Sequence, residues 1–380
     1  MTTPATPSVP APKTPPPSSA SKQSWLTADR VFLGLLFISF PLAVASHFFF
    51  SGTLTFILCS LALVPLARLM GEATEVIAHK LGSGLGGLMN ASFGNAAELI
   101  IALAALRSGH TAVVKASITG AVLGNLLLVL GAALIFGGAR REKQTFNATA
   151  ALSGSAMMFL ALTAMIIPDL FHVAQGDAAL PHLRPLSIGI SIILLAMYVL
   201  SLLFSLRTHA HIYSGEEEGG GAEEELPHWS TRKATVYLLL ATGGVVVVAE
   251  FLIHALEDAI KSFGFTHTFV GVIIIAIVGN AAEHSTAVLM AMKNKMDLAF
   301  NIAFESSKQI ALFVAPVLVL LAIPLGQNLT LEFTHMEVVG MAVGIGAATL
   351  IGLDGESNWL EGAMLIGVYA ILGITFFFIP

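Results

Sequence analysis

Gly94-Asn95-Ala96-Ala97-Glu98 and Gly279-Asn280-Ala281-Ala282-Glu283 are two copies of one stretch, each set inside an apolar run. Each copy places a small residue, a carboxamide and a carboxylate within a turn and a half of helix. A carboxylate at bilayer depth is costly, so it faces a partner, a cation or a water-filled cavity. Two of them in matched positions of two halves point to a cation site near the membrane midplane, between repeats.

The surroundings fit that reading. Hydrophobic residues make up 56% of the 380-residue chain and charged residues only 11%, whereas a soluble domain carries about 25% charge. The 35 glycines suit a helical membrane protein, where small residues let backbones approach. A net charge of −6 without a basic stripe gives no footprint for nucleic acid. Cys59 is the single cysteine, which excludes an intrachain disulfide and a Cys-based metal site. Neither His-Glu-x-x-His nor Gly-x-Ser-x-Gly occurs, so the chain is not expected to be an enzyme.

Residues 1–30 read as a Pro/Ser/Thr/Ala-rich disordered tail. Beyond it about eleven spans are expected, each near the ~20 apolar residues a bilayer needs. They divide into an extra transmembrane helix at 31–50, a first repeat at 51–206, an acidic cytoplasmic linker at 207–233 and a second repeat at 234–380. Placing the N-terminus in the cytoplasm puts Lys80, Arg140, Arg141, Lys143, Arg207, Arg232, Lys233, Lys293 and Lys295 on that side, as the positive-inside rule asks. The segments holding Glu98 and Glu283 then run in opposite directions. The expected fold is therefore an all-α polytopic membrane protein of two inverted five-helix repeats plus one N-terminal helix.

The internal match reaches beyond the motif. Gly86 falls on Gly271, and with small gaps Glu75 falls on Glu257, Gly82 on Gly264 and Asn125 on Gln309. Irregular backbone is expected around these glycines. The run from Ser214 to Leu226 carries six glutamates around glycines and reads as a solvated linker that repels itself.

Residues 88–100, 278–284 and 296–299, with Gly71-Glu72-Ala73-Thr74-Glu75 and the acidic linker, resemble the calcium/proton exchangers of the cation/calcium exchanger superfamily. The resemblance runs from about residue 55 to the C-terminus and implies exchange of a divalent cation for protons. It implies Glu98 and Glu283 as alternating ligands of Ca²⁺ and H⁺, with Asn95, Asn280, Ser306 and Gln309 beside them and Gly94, Gly279 and Asn125 completing the site. Sodium-coupled members of the superfamily carry Ser/Thr and Pro around the acidic residue, where both copies here read Asn-Ala-Ala. Coupling to Na⁺, K⁺ or Mn²⁺, or a cation channel, are the alternatives. The sequence departs from the family at Glu305-Ser306-Ser307-Lys308-Gln309, where a Gly-Ser-Ser run is usual.

Calcium takes six to eight oxygen ligands, and two carboxylates supply its full charge. When the ion leaves, two bare carboxylates in a low-dielectric cleft repel each other and take up protons. Metal and protons thus compete for the same oxygens, which is the minimal mechanism of antiport. No cofactor is expected beyond the transported Ca²⁺ and H⁺. The other partners are the lipid bilayer and, for a bacterial chain, the plasma membrane; no nucleic acid is expected. Glu72, Glu75, Glu250 and Glu257 are candidates for access paths or proton relay. Glu305 and Lys308, three apart on one helix face, can pair and tune the site. Arg68 and Lys115 are expected to snorkel toward water.

Overall fold

The computed structural model describes residues 19–209, 227 and 229–379. The acidic run at 214–226 and the first eighteen residues of the expected tail lie outside the described residues.

The described residues are almost wholly helical, and polar side chains cap several of the helix starts. Helix α1 spans Ser19–Phe49, so it begins inside the stretch expected as tail. Ser51 opens α2 (Gly52–Phe93) by accepting from Leu54 N, and α3 covers Ala96–Arg107. Next come α4 (Thr111–Gly138), α5 (Ala148–Gln175), which Asn147 caps, and α6 (Leu180–Leu203). In the second half α7 (Thr231–His254) starts at the Ser230 cap. It is followed by α8 (Leu256–Phe263), α9 (His267–Gly279) and α10 (Ala281–Met292). The last three are α11 (Met296–Ala322), α12 (His335–Gly352) and α13 (Trp359–Phe378). Capping boxes, Thr334 with Glu337 and Asn358 with Glu361, start α12 and α13, satisfying amide groups that lipid could not. Among the described residues the one strand pairing is a two-residue antiparallel pair, Gln144–Thr145 with Glu356–Ser357.

Seven helical stretches among the described residues are long and apolar enough to cross a membrane, and the bent pair α8–α9, folded by 114°, makes up to eight. The expected count of eleven is not reproduced, for three physical reasons. The motif helices are broken, leaving α3 and α10 with only 12 residues each. Residues 148–208 run as one apolar stretch holding both α5 and α6. The apolar part of α1 is the shorter Gly34–Phe49. Large apolar side chains such as Phe37, Phe49, Phe159, Leu239 and Leu350 point outward, as lipid-facing residues do. Helices α4 and α11 are the most enclosed of the spans and α5–α6 the least, so the bundle is built around α4 and α11.

Backbone irregularities fall where the paired glycines led one to expect them. Gly82 breaks α2 with φ 80° and ψ 175°, and Gly264 ends α8 at φ 67°; both need a residue without Cβ. A turn of π-helix interrupts α4 at Gly124–Val129, α9 at Val270–Ile275 and α11 at Ile310–Val314. Such insertions leave carbonyls out of the α-helical register and gather at functional sites.

Helix α4 crosses α9 through two glycines. A Cβ on Gly120 would lie 2.2 Å from the Val272 carbonyl oxygen, and one on Gly271 2.5 Å from Ala116 Cβ. Backbone cannot yield as a side-chain tip does. Gly120→Val should therefore lower stability by more than the ~1–3 kcal/mol typical of overpacking. A fall in melting temperature of the detergent-purified protein checks this, and an unchanged melt would show that the helices can separate here.

Candidate cation site

Each motif sits at a break between two helices. Asn95 stands between α2 and α3 at φ −100°, ψ 29°, and Asn280 between α9 and α10 at φ −95°, ψ 8°. The glutamate three residues on is thereby placed in the first turn of the following helix. There the free amides favour negative charge. Local sequence thus explains why both carboxylates are tolerated: small residues permit the break, and the new helix start offsets part of the charge.

Around these breaks the two halves interlock through a chain of hydrogen bonds. Asn125 Nδ2 donates to Ser306 Oγ at 2.9 Å, and Ser306 Oγ donates to Asn95 Oδ1 at 3.1 Å. Asn95 Nδ2 in turn donates to Gln309 Oε1. Asn95, Asn125, Asn280 and Ser306 are all buried. The Ser306 hydroxyl also lies near enough to the Glu283 carboxylate to act on its charge.

Three acceptors in this region are left over. Glu98 Oε2, Glu283 Oε2 and Asn280 Oδ1 are buried without a hydrogen-bond partner among the described residues. Asn280 Nδ2 is engaged with the Ala276 carbonyl at 3.1 Å, which leaves its oxygen free to face outward. Native interiors rarely abandon buried polar atoms, and here all three are oxygens, the donors hard cations prefer. Glu98 and Glu283 lie close enough for their charges to interact. A cavity of about 20 Å³ adjoins Glu98 and Asn280, walled by Ser117, Ile118 and Ala121 of α4 and by Gly279. That is enough for one occupant of water size. Gly279 admits the Glu98 side chain: a Cβ there would meet Glu98 Cγ at 3.4 Å. Gly94 stands beside Gln309, 3.5 Å from its Oε1 to where a Cβ would be.

The structure thus gathers Glu98, Glu283, Asn95, Asn280, Gly94, Gly279, Ser306, Gln309 and Asn125 around one region. It does not bring Glu72, Glu75, Glu250 or Glu257 to the cavity lining. Glu72 is paired with Arg68 at 2.6 Å, Glu250 with Arg107 at 3.2 Å, and Glu257 with His267 at 2.9 Å. Arg68 also lies over the Phe32 ring at 3.9 Å. Lys115 donates to Thr330 Oγ1 at 3.2 Å and to the Glu332 carbonyl. Both cations find acceptors within the bundle. Glu305 and Lys308 form a 2.6 Å ion pair next to Ser306 and Gln309.

Sequence reasoning missed the α4 wall, Ser117, Ile118 and Ala121, whose small and apolar side chains look like ordinary packing. It also missed a second cavity of about 520 Å³, lined by Lys115, Asp169, His172, Glu332, His335 and Glu337. These polar residues come from three separate segments, so no local pattern marks it.

Known proteins resemble the chain over nearly its whole length. The chain is 43% identical over 368 residues to a Ca²⁺/H⁺ antiporter of Synechocystis, covering 93% of this chain and 99% of that one. It is 44% identical over 351 residues to the Ca²⁺/H⁺ antiporter ChaA of Bacillus subtilis, covering 92% and 99%. The solved structure of native YfkE superposes with a TM-score of 0.79 at 40% identity, covering 92% of this chain and all of that one. Residues 51–207 and 233–378 match the sodium/calcium exchanger protein family, and with relatives this similar over nearly the whole length, the chain belongs to that family.

Proposed function

We propose that the protein is a secondary antiporter that exchanges Ca²⁺ for protons across a membrane, with Glu98 and Glu283 binding the two alternately. The observation that carries this reading is the set of buried, unpartnered oxygens on Glu98, Glu283 and Asn280, with a cavity of single-ion size lined by Glu98 and Asn280. Relatives named Ca²⁺/H⁺ antiporters support calcium as the cation.

Loaded, the two carboxylates neutralise a divalent ion, and the Asn95, Asn280, Ser306 and Gln309 side chains with main-chain carbonyls complete an oxygen shell. Unloaded, protons replace the cation on the same oxygens, because two bare anions in a dry cleft repel. Residues 51–206 and 234–380 act as two inverted repeats of five helices, with residues 31–50 as an additional span. The matched breaks at Asn95 and Asn280, and at Gly82 and Gly264, support that division. The N-terminus is cytoplasmic by the Lys/Arg distribution, in the plasma membrane of a bacterial cell. Glu72, Glu75 and Glu257 stand toward the ends of their spans and Glu250 deeper in its own, and in this reading they draw cations or relay protons at the two mouths.

The decisive test is a panel of Ca²⁺, Mn²⁺, Na⁺ and K⁺ added to vesicles holding the purified protein and an imposed pH gradient. Ca²⁺ should release protons and consume the gradient. Ca²⁺ flux that is indifferent to the gradient would point to a channel, and a response to Na⁺ alone to a different exchanger. The acidic linker is a tether in this reading. Replacing 215–225 by a neutral segment of equal length should leave the maximal rate unchanged, and a collapse of that rate would give the linker a part in transport.

A further inference from the structure

Away from the carboxylate pair, three residues from two distant parts of the chain converge at one end of the bundle. Candidate metal-ligating atoms of His110, Glu257 and His267 all lie within 4.8 Å of one another. His267 Nε2 is 2.9 Å and His110 Nδ1 3.8 Å from Glu257 Oε1. The two imidazoles lie near parallel, 26° apart with centroids at 6.4 Å, so both present an edge to the same carboxylate oxygen. All three are half-buried.

Their backbones are held. His110 follows Gly109 at φ 82° and its amide donates to the Ala105 carbonyl at 2.9 Å, fixing the α3–α4 turn. His267 opens α9 just after Thr266, whose hydroxyl caps Phe269 N at 3.0 Å and donates to the Phe376 carbonyl at 3.1 Å. Glu257 lies on α8, which Thr53 ties to the start of α2 through Ser262 at 2.7 Å. Each ligand candidate therefore stands on a separate restrained segment.

We propose that His110, Glu257 and His267 form a binding site for a borderline divalent cation of the zinc class, separate from the carboxylate pair. Two imidazoles and one carboxylate, with a water in the fourth position, is a zinc ligand set, and ligands at ~2.0–2.1 Å from a tetrahedral ion stand about 3.3 Å apart. The two distances to Glu257 given above bracket that separation, and with all three atoms within 4.8 Å of one another side-chain rotation is enough to bring them to one ion. Nitrogen donors separate this site from Ca²⁺, which takes oxygen. Lys261, one turn from Glu257 and close enough to act on its charge, is the neighbouring group that opposes a cation, and at the surface its effect is screened.

Occupancy would have a mechanical consequence. Helix α3 runs from Glu98 to the turn that holds His110, and α9 runs from His267 to the Asn280 break. A bound ion clamps the outer ends of the two helices that lead to the carboxylate pair.

The test is direct binding of Zn²⁺ to the full-length protein in detergent, by competition with a fluorescent chelator, with wild type, His110→Ala, His267→Ala and Glu98→Gln compared. One equivalent is expected in wild type and in Glu98→Gln, weakened at least tenfold in either histidine variant. An equivalent that survives both histidine changes, or that vanishes in Glu98→Gln, overturns the assignment. So does absence of binding by wild type. Melting curves without metal establish that each variant is folded, and a Zn²⁺-induced rise in melting temperature should appear in wild type and be missing in His267→Ala. The Zn²⁺ measurements use no transport readout, so their failure leaves the antiport reading untouched.

Discussion

Glu98→Gln and Glu283→Gln should each abolish coupled exchange while leaving the protein folded. Glutamine keeps the shape of the side chain and its acceptor oxygen, but it neither neutralises a divalent ion nor exchanges a proton. Losing one charged contact to the ion is worth roughly 1.5–3 kcal/mol, about a ten- to hundredfold weakening. Coupling fails more completely, because a site with one titrating group cannot trade two charges. Stability should hold, since both carboxylates have an oxygen with no partner among the described residues and a neutral amide is cheaper to bury than an anion. Proton release from Ca²⁺-loaded vesicles, read beside a melting curve, separates the two effects. Near wild-type exchange by either variant would remove that residue from the mechanism.

The second large effect is asymmetric. Lys308 and Glu305 form a 2.6 Å pair in which the lysine side chain is 4% exposed and the glutamate 32%. Removing the partner of a buried charge costs about 3–5 kcal/mol. Glu305→Ala strands Lys308 in the interior and should destabilise strongly. Lys308→Ala leaves Glu305 in reach of water and should cost far less. Both substitutions also change the charge beside Ser306 and Gln309. With the lysine gone, a positive neighbour no longer opposes the cation, and the apparent Km for Ca²⁺ should fall; with the glutamate gone it should rise. Thermal melts and Km measured in parallel check both halves. Equal destabilisation, or Km shifts of the same sign, would show that the pair neither depends on burial in this way nor tunes the site.

The internal repetition of the chain is what made the site legible. A carboxylate in an apolar run is an energetic anomaly, and finding two at the same offset within Gly-Asn-Ala-Ala-Glu singled out one candidate site for the exchanged ions. Paired glycines carry a similarly local message, since φ values of 80° at Gly82 and 67° at Gly264 exclude nearly every other residue. Polarity at Asn125, Ser306 and Gln309 was also visible, because amides and hydroxyls in apolar helices need partners.

Tertiary structure alone decided who those partners are. Ser306 lies on α11, yet it joins Asn95 and Asn125, a bond set by helix crossing and not by spacing along the chain. Burial separated Lys308 from Glu305, though they sit three residues apart on the same helix, because one faces the bundle and the other its edge. The bends themselves escaped the sequence because hydropathy is blind to a break at an asparagine or a 114° fold between α8 and α9. The convergence of His110 with Glu257 and His267 was invisible for the same reason. Local sequence determines which residues cannot be left in lipid, whereas only the packing of distant helices determines which of them meet.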